Sequence, residues 1–183
     1  FRYTFYDRVL KRNRSKLILP MDCVVNQESE SLERAPRISY EYELLPNEIE
    51  EKVRKKEFRD WDWGSAEGGG DDDDAPHKFI EQHRTLDLDG DGYKEPYIVT
   101  IHKQSGYVAS IIVCFEEDDI EVDQETGEIV RIAPTRYFTK YGFIPDPEGG
   151  FYDIGFGLLM GPLNDSVNGI INRLLDAGHL QNA

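Results

Sequence analysis

Apolar and polar positions alternate along most of this chain in the manner of short strands, and change to a helical period only near the end. Phe1 to Leu10 is rich in Phe, Tyr, Thr and Val with rough period-two alternation, which predicts a strand. The basic stretch Lys11-Arg12-Asn13-Arg14-Ser15-Lys16 is expected to turn into the apolar run Leu17-Ile18-Leu19-Pro20. Pro46-Asn47-Glu48 opens a short helix, with Asn47 as the expected N-cap and Glu48, Glu50 and Glu51 near its positive start. Lys52, Arg54, Lys55 and Lys56 follow at the end where cations are favoured.

From Lys78 to Tyr141 the pattern is strongly β. Strands are predicted over Phe79–Leu86, Tyr97–His102 and Tyr107–Phe115, the last following the turn Gln104-Ser105-Gly106. Ile120–Val122 and Ile129–Ile132 flank the hairpin signal Glu125-Thr126-Gly127-Glu128, and Tyr137-Phe138 begins a last strand. Short strands with tight turns make an antiparallel meander. After a Gly/Pro/aromatic loop, Gly161-Pro162 is expected to start a helix with proline at its first position, where the missing N–H costs little. Leu163, Val167, Ile170, Ile171, Leu174 and Leu175 form one apolar stripe on it, flanked by Asn164, Asn168 and Asn172. The expected fold class is α+β, antiparallel and β-rich, with a short helix and a longer C-terminal amphipathic helix. Four segments follow: 1–60 strand-rich with the short helix, 61–76 a flexible acidic loop, 77–141 the β meander, and 142–183 the loop and terminal helix.

Charge narrows the function classes. Lys+Arg is 21 against Asp+Glu 36 in 183 residues, a formal charge of −15. Such a balance argues against nucleic-acid capture, which needs a basic footprint, but does not exclude a channel that DNA slides through without sticking. The Lys11–Lys16 cluster is read as a solvated hairpin tip in preference to a phosphate contact. Ser65 to Ala75 is Gly and Asp rich, including Asp71-Asp72-Asp73-Asp74, and reads as a self-repelling loop. Between Glu116 and Glu128 there are eight carboxylates and no Lys or Arg. Charge at a strand edge discourages edge-to-edge aggregation. Cys23 and Cys114 sit in apolar runs without metal-ligand spacing, so buried free thiols are expected. The longest apolar stretch, around Val108 to Phe115, is too short to span a bilayer.

The sharpest local motif is Asp87-Leu88-Asp89-Gly90-Asp91-Gly92-Tyr93-Lys94-Glu95. Carboxylates at relative positions 1, 3 and 5 with glycine at 6 match the start of a calcium loop, with Tyr93 offering a backbone carbonyl and Glu95 a further carboxylate. Position 12 is Ile98 where an EF-hand needs a bidentate Glu, so a helix–loop–helix hand is excluded. Asp87, Asp89, Asp91, Tyr93 and Glu95 are therefore the candidate calcium set, weighed against a plain Asp/Gly turn, which is preferred. His77, His83, His102 and His179 show no HExxH or triad-like arrangement, and no Walker loop or GxSxG elbow occurs. No enzyme and no resident cofactor are expected.

Three stretches together resemble the portal proteins of short-tailed bacteriophages. They are Leu17-Ile18-Leu19-Pro20-Met21-Asp22-Cys23-Val24-Val25 with Ser31-Leu32-Glu33-Arg34-Ala35-Pro36-Arg37; Leu86 to Thr100 with Gly127-Glu128-Ile129-Val130-Arg131-Ile132; and Gly155 to Leu163 continuing to Asn172-Arg173-Leu174-Leu175-Asp176-Ala177-Gly178. The resemblance implies an internal fragment of a longer subunit: the wing region, with the terminal helix leading toward the stem. It also implies a ring, usually of twelve copies, at one capsid vertex, through which DNA enters and leaves. Implied partners are capsid or scaffold, the terminase motor and tail adaptor proteins, in the virion after assembly in the host cytoplasm. No membrane and no catalytic residues are implied. The reading from a different class is a calcium-dependent β-rich adhesion or binding module, resting on Asp87 to Glu95.

Overall fold

A computed structural model of the chain describes residues 1–7, 10–26, 28–64, 72 and 74–181. Residues 65–71 and 73, most of the expected acidic loop, lie outside them. The fold is α+β, with antiparallel sheets, one short helix and one longer C-terminal helix. It forms two compact units, residues 1–140 and 141–183.

The first unit is built on a five-stranded antiparallel sheet, β3(Cys23–Val25), β4(Arg37–Leu44), β5(His77–Leu86), β6(Glu95–His102) and β7(Val108–Val113), in that spatial order. Every neighbour in space is the neighbour in sequence, so this is a meander. It begins at Cys23, and strands from before and after the acidic loop share it. β3 and β4 are not among the elements assigned above. The alternation of Ile38, Tyr40, Tyr42 and Leu44 against Arg37, Ser39, Glu41 and Glu43 is nonetheless period two and would have predicted β4. The register pairs Tyr40 with Glu81, Glu81 with Thr100 and Thr100 with Ser110, so these four side chains share one face.

That face carries the core. α1(Pro46–Arg54) lays Ile49 and Val53 over it, and Ile49, Phe58, Phe79 and Ala109 form a buried cluster with Tyr42, Leu44 and Trp63 against it. Pro46 takes the first helical position and Leu45 the N-cap, which corrects the assignment of Asn47. A leucine side chain offers no oxygen; instead Glu48 reaches back to accept the Leu45 N–H at 2.9 Å, half of a capping box. Arg54–Glu50 and Lys55–Glu51 pair one turn apart.

A second, three-stranded sheet has the order β10(Phe138–Thr139), β1(Arg2–Asp7), β2(Arg12–Leu17). Two expectations are corrected here. The basic cluster is a strand, with Arg12 to Leu17 registered against β1 from Asp7 back to Arg2. Tyr3 on β1 and Tyr40 and Tyr42 on β4 give that strand apolar rings to lie against, and Lys16 Nζ sits 5.2 Å above the Tyr40 ring. The last strand leaves the meander and pairs with β1, Tyr3 opposite Phe138. β8(Ile120–Val122) and β9(Ile129–Ile132) form a separate hairpin, turned by Gly127 at φ 73° and by Asp123, whose carboxylate accepts the Glu125 N–H at 2.7 Å.

The second unit is a loop and a helix. Ile144 and Ile154 bridge the loop, Asp146 accepts N–H groups from Glu148 and Gly150, and Phe143 stacks on Phe156 at 4.1 Å. α2(Phe156–Gln181) starts before the expected Gly161, so Pro162 lies inside the helix and the Leu158 carbonyl loses its i+4 donor. Leu158, Leu159 and Met160, all good helix formers, extend it backward. Apolar residues follow a four-three spacing through Phe156, Met160, Leu163, Val167, Ile170, Leu174 and Ala177. Leu163, Val167, Ile170 and Leu174 are 46–67% exposed. Among the described residues, no helix is long and apolar enough to cross a membrane.

Candidate functional site

The Asp87–Glu95 loop connects β5 to β6, and its sequence dictates its shape. Gly90 and Gly92 adopt φ 79° and 95°, the left-handed region that glycine enters without penalty. Each aspartate then binds the backbone just beyond it. Asp87 accepts from Gly90 N–H at 2.7 Å and Gly92 N–H at 3.1 Å, Asp89 from Asp91 N–H at 3.3 Å, and Asp91 from Tyr93 N–H at 2.7 Å. One carboxylate oxygen from each of Asp87, Asp89 and Asp91 falls within 4.8 Å of the others, and all three residues are exposed. A calcium ion bound at about 2.4 Å spaces opposite ligands about that far apart.

The other two candidates behave differently. The Tyr93 side chain leaves the loop, its hydroxyl accepting the Ile132 N–H at 2.9 Å and tying the loop to the β8–β9 hairpin, which does not engage the backbone carbonyl that is the candidate ligand. Glu95 opens β6 opposite Leu86, and its carboxylate is not among the oxygens that converge. Three carboxylates fall short of the six to eight oxygens calcium takes, and both oxygens of Asp87 already accept backbone N–H groups. The geometry satisfies a turn without a cation.

A second constellation was not legible in the spacing. Glu81 on β5 accepts from Tyr3 OH and Tyr40 OH, each at 3.1 Å, and lies 2.8 Å from His83 Nε2. Ring contacts from Tyr3 to Tyr40, Tyr137, Phe138 and His83 close around it. Burial, and then the Glu81 charge, push the Tyr3 and Tyr40 hydroxyls well above the usual phenol range. Glu81 thereby fastens β1 of the small sheet to β4 and β5 of the large one. Behind it, His83 Nδ1 lies 3.8 Å from Cys114 Sγ, and Cys114 also donates to the Thr135 carbonyl at 3.4 Å. The set resembles a nucleophile, base and orienting acid. Yet burial, with Glu81 next, raises the Cys114 thiol to about 11, which leaves it protonated and inert at neutral pH. Both cysteines are free and buried, as expected. Period-two patterning placed these side chains on one sheet face; their convergence depends on register and on a sheet that joins the chain's beginning to Phe138.

A third feature is a buried imidazole pair, His77 Nδ1 at 3.2 Å from His102 Nε2, with His102 Nδ1 2.8 Å from Ser105 Oγ. Trp63 meets His102 edge-on at 5.6 Å. Burial lowers both histidines, and for His102 the neighbouring imidazole adds to it. No protein-family model matches the chain. No curated protein matches it either.

Proposed function

We propose that the chain is the wing region of a portal subunit that assembles, in the full-length protein, into a ring at one capsid vertex. The observation that carries this reading is α2: an apolar stripe set at coiled-coil spacing and exposed along the helix. A helix of this kind holds its shape through contacts with other helices. Neighbouring copies in a ring supply such contacts, and closed cyclic symmetry is the usual outcome when head-to-tail contacts meet. The −15 charge supports passage of DNA without retention, since like charge keeps phosphates off the surface. The likeness of Leu17–Arg37, Leu86–Thr100 and Gly155–Gly178 to portal proteins points the same way. On this reading the subunit has no enzymatic activity and no cofactor. Its partners are further copies of itself, usually twelve in all, capsid or scaffold, the terminase motor and tail adaptors, and its place is the virion after assembly in the host cytoplasm.

Negative-stain microscopy of the full-length protein tests it. Closed rings with a central channel are expected, and a full-length chain that stays monomeric at high concentration overturns the reading. A gel-shift titration with duplex DNA at physiological salt should show negligible binding by this chain; tight binding would count against it. The convergence of Asp87, Asp89 and Asp91 favours a second reading, a calcium-dependent binding module, which a calorimetric calcium titration decides.

A further inference from the structure

β7 is the outer strand of the five-stranded sheet, and among the described residues no strand pairs with its free side. Ile111, Ile112 and Val113 on it are exposed, an apolar edge of the kind that recruits another strand. Beside it runs a groove of about 590 Å³ floored by Ile98, Thr100, Ser110 and Ile112. Lys56 and Arg59 also line it, as do Glu57, which pairs with Lys52 at 3.0 Å, and Glu81; neither Lys56 nor Arg59 has an ion-pair partner among the described residues. The backbone brings both cations there. Lys56 occupies a left-handed position, φ 60°, that ends α1 where glycine is usual, and the Arg59 N–H donates to the Ala109 carbonyl at 2.9 Å. Two cations that are unpaired among the described residues thus flank an apolar sheet edge in a chain of −15.

The opposite surface is the β8–β9 hairpin. Glu121, Asp123, Glu125 and Glu128 lie on it and Glu116, Glu117, Asp118 and Asp119 just before it, against Arg131 opposite Glu121, and Val122, Ile129 and Val130 are exposed beside them. Copies that each carry −15 repel, so a contact between them must set unlike charge face to face. The groove, with Lys56 and Arg59, and the hairpin, with its run of carboxylates, are surfaces of unlike charge. The basic strand β2 is a weaker counterpart, because Arg14 is paired with Asp7 and Lys16 lies over the Tyr40 and Tyr42 rings.

We propose that the Lys56–Arg59 groove along β7 of one copy receives the acidic β8–β9 hairpin of a second copy of this chain. The two surfaces share no residues, so the contact is heterologous and passes from copy to copy, and it closes only as a ring. This rests on the ring reading and names the contact within it.

Zero-length carbodiimide coupling joins a lysine amine to a touching carboxylate. With isotope-labelled and unlabelled copies of the chain mixed, mass spectrometry should find Lys56 joined to the 116–128 peptide between copies. Sedimentation should show concentration-dependent association that weakens on the order of tenfold or more in Lys56→Glu/Arg59→Glu and falls with added salt. Mixing that variant with Glu121→Lys/Glu125→Lys, which leaves the Asp123 turn intact, should restore association that neither shows alone. Links that run instead from Lys11 or Lys16, or association indifferent to both charge reversals, overturn the proposal. In the full-length protein, rings that still form with Lys56→Glu/Arg59→Glu sink this contact and leave the portal reading standing. A wild-type protein that never forms rings sinks the portal reading, while a Lys56 link in this chain would still establish the contact.

Discussion

Residues 1–140 and 141–183 bury apolar side chains in opposite ways. In the first unit Phe79 and Ala109 are wholly buried, and α1 and the Trp63 segment cover the sheet face that holds them. In the second, Leu163, Ile170 and Leu174 are more than half exposed on a helix that also contains Pro162, Gly161, Gly169 and Gly178. Glycine inside a helix costs about 1 kcal/mol relative to alanine and proline about 3 kcal/mol, so α2 is a poor helix by propensity. A β meander can satisfy its own backbone and core. A weak helix with a continuous apolar seam has to draw its stability from packing that its own loop does not supply. The first unit covers its own apolar surface, and the second leaves the apolar seam of its helix exposed.

Truncation gives the largest break in that comparison. Phe79→Ala should destabilise the first unit by about 3–5 kcal/mol, the usual cost of emptying an aromatic site in a tight core. Leu174→Ala should change the stability of the isolated chain by about 0.5 kcal/mol or less. If the full-length protein assembles as proposed, the order should reverse for assembly, with Leu174→Ala impairing ring formation. Urea unfolding of both variants and microscopy of the full-length forms check this. Equal destabilisation in the isolated chain would mean that α2 is packed already.

Glu81→Ala should come next. It strands two tyrosine hydroxyls and an imidazole that now share one carboxylate, and removing a charged acceptor from a part-buried site costs about 2–4 kcal/mol. The loss should appear as earlier proteolysis near the β1–β2 hairpin as well as a lower midpoint, because Glu81 joins the two sheets. A midpoint unchanged from wild type would show that the ring contacts alone hold them.

Why these groups were hard to foresee is a matter of register. Periodicity predicted β5 to β9 with modest boundary shifts, since tight turns at Gly106 and Gly127 and the flanking Val and Ile runs are local signals. It also predicted α1 and the C-terminal helix. It missed the role of Arg12–Leu17, because a run of Lys and Arg looks like a turn until aromatic rings on another strand are known to lie beneath it. Phe138 was assigned to the meander because nothing local says that its partner is Tyr3. The Asp87–Asp91 cluster was legible because Asx turns and glycine kinks are written in consecutive residues. Glu81 and His83 come from β5 and Cys114 from just past the end of β7, and they are organised by Tyr3 and Tyr40 from two more strands, so no spacing rule could have joined them.

Acid should act on the first unit through His77 and His102. Both are lowered by burial, so the unfolded chain binds protons more readily than the folded one. Their neutral forms cost nothing above the unfolded value of about 6.5. Stability should be complete there, then fall as the pH drops below it toward the folded values. Denaturant midpoints between pH 8 and pH 5 should therefore decline, and His102→Gln should flatten that decline. The Trp63 fluorescence, edge-on to His102, should change over the same window. A decline that persists in full after both His102→Gln and His77→Gln would take it away from this pair.

The smallest effect should come from calcium, at the loop where the two readings of function part. Asp87, Asp89 and Asp91 approach within 4.8 Å, but all are exposed, and water screens their repulsion. Their oxygens already serve Gly90, Asp91, Gly92 and Tyr93 N–H groups, so the loop keeps its shape without an ion. Millimolar calcium should then shift the melting temperature no more than the same concentration of magnesium. Asp89→Ala, which removes one long hydrogen bond of 3.3 Å, should cost about 0.5 kcal/mol or less. A true site would behave otherwise, because binding to the folded state alone stabilises it by mass action. One-site micromolar binding in a calorimeter, lost in Asp89→Ala, would overturn the turn reading. It would also require water or further chain oxygens, the Tyr93 carbonyl among them, to complete the coordination, since Glu95 stands outside the cluster.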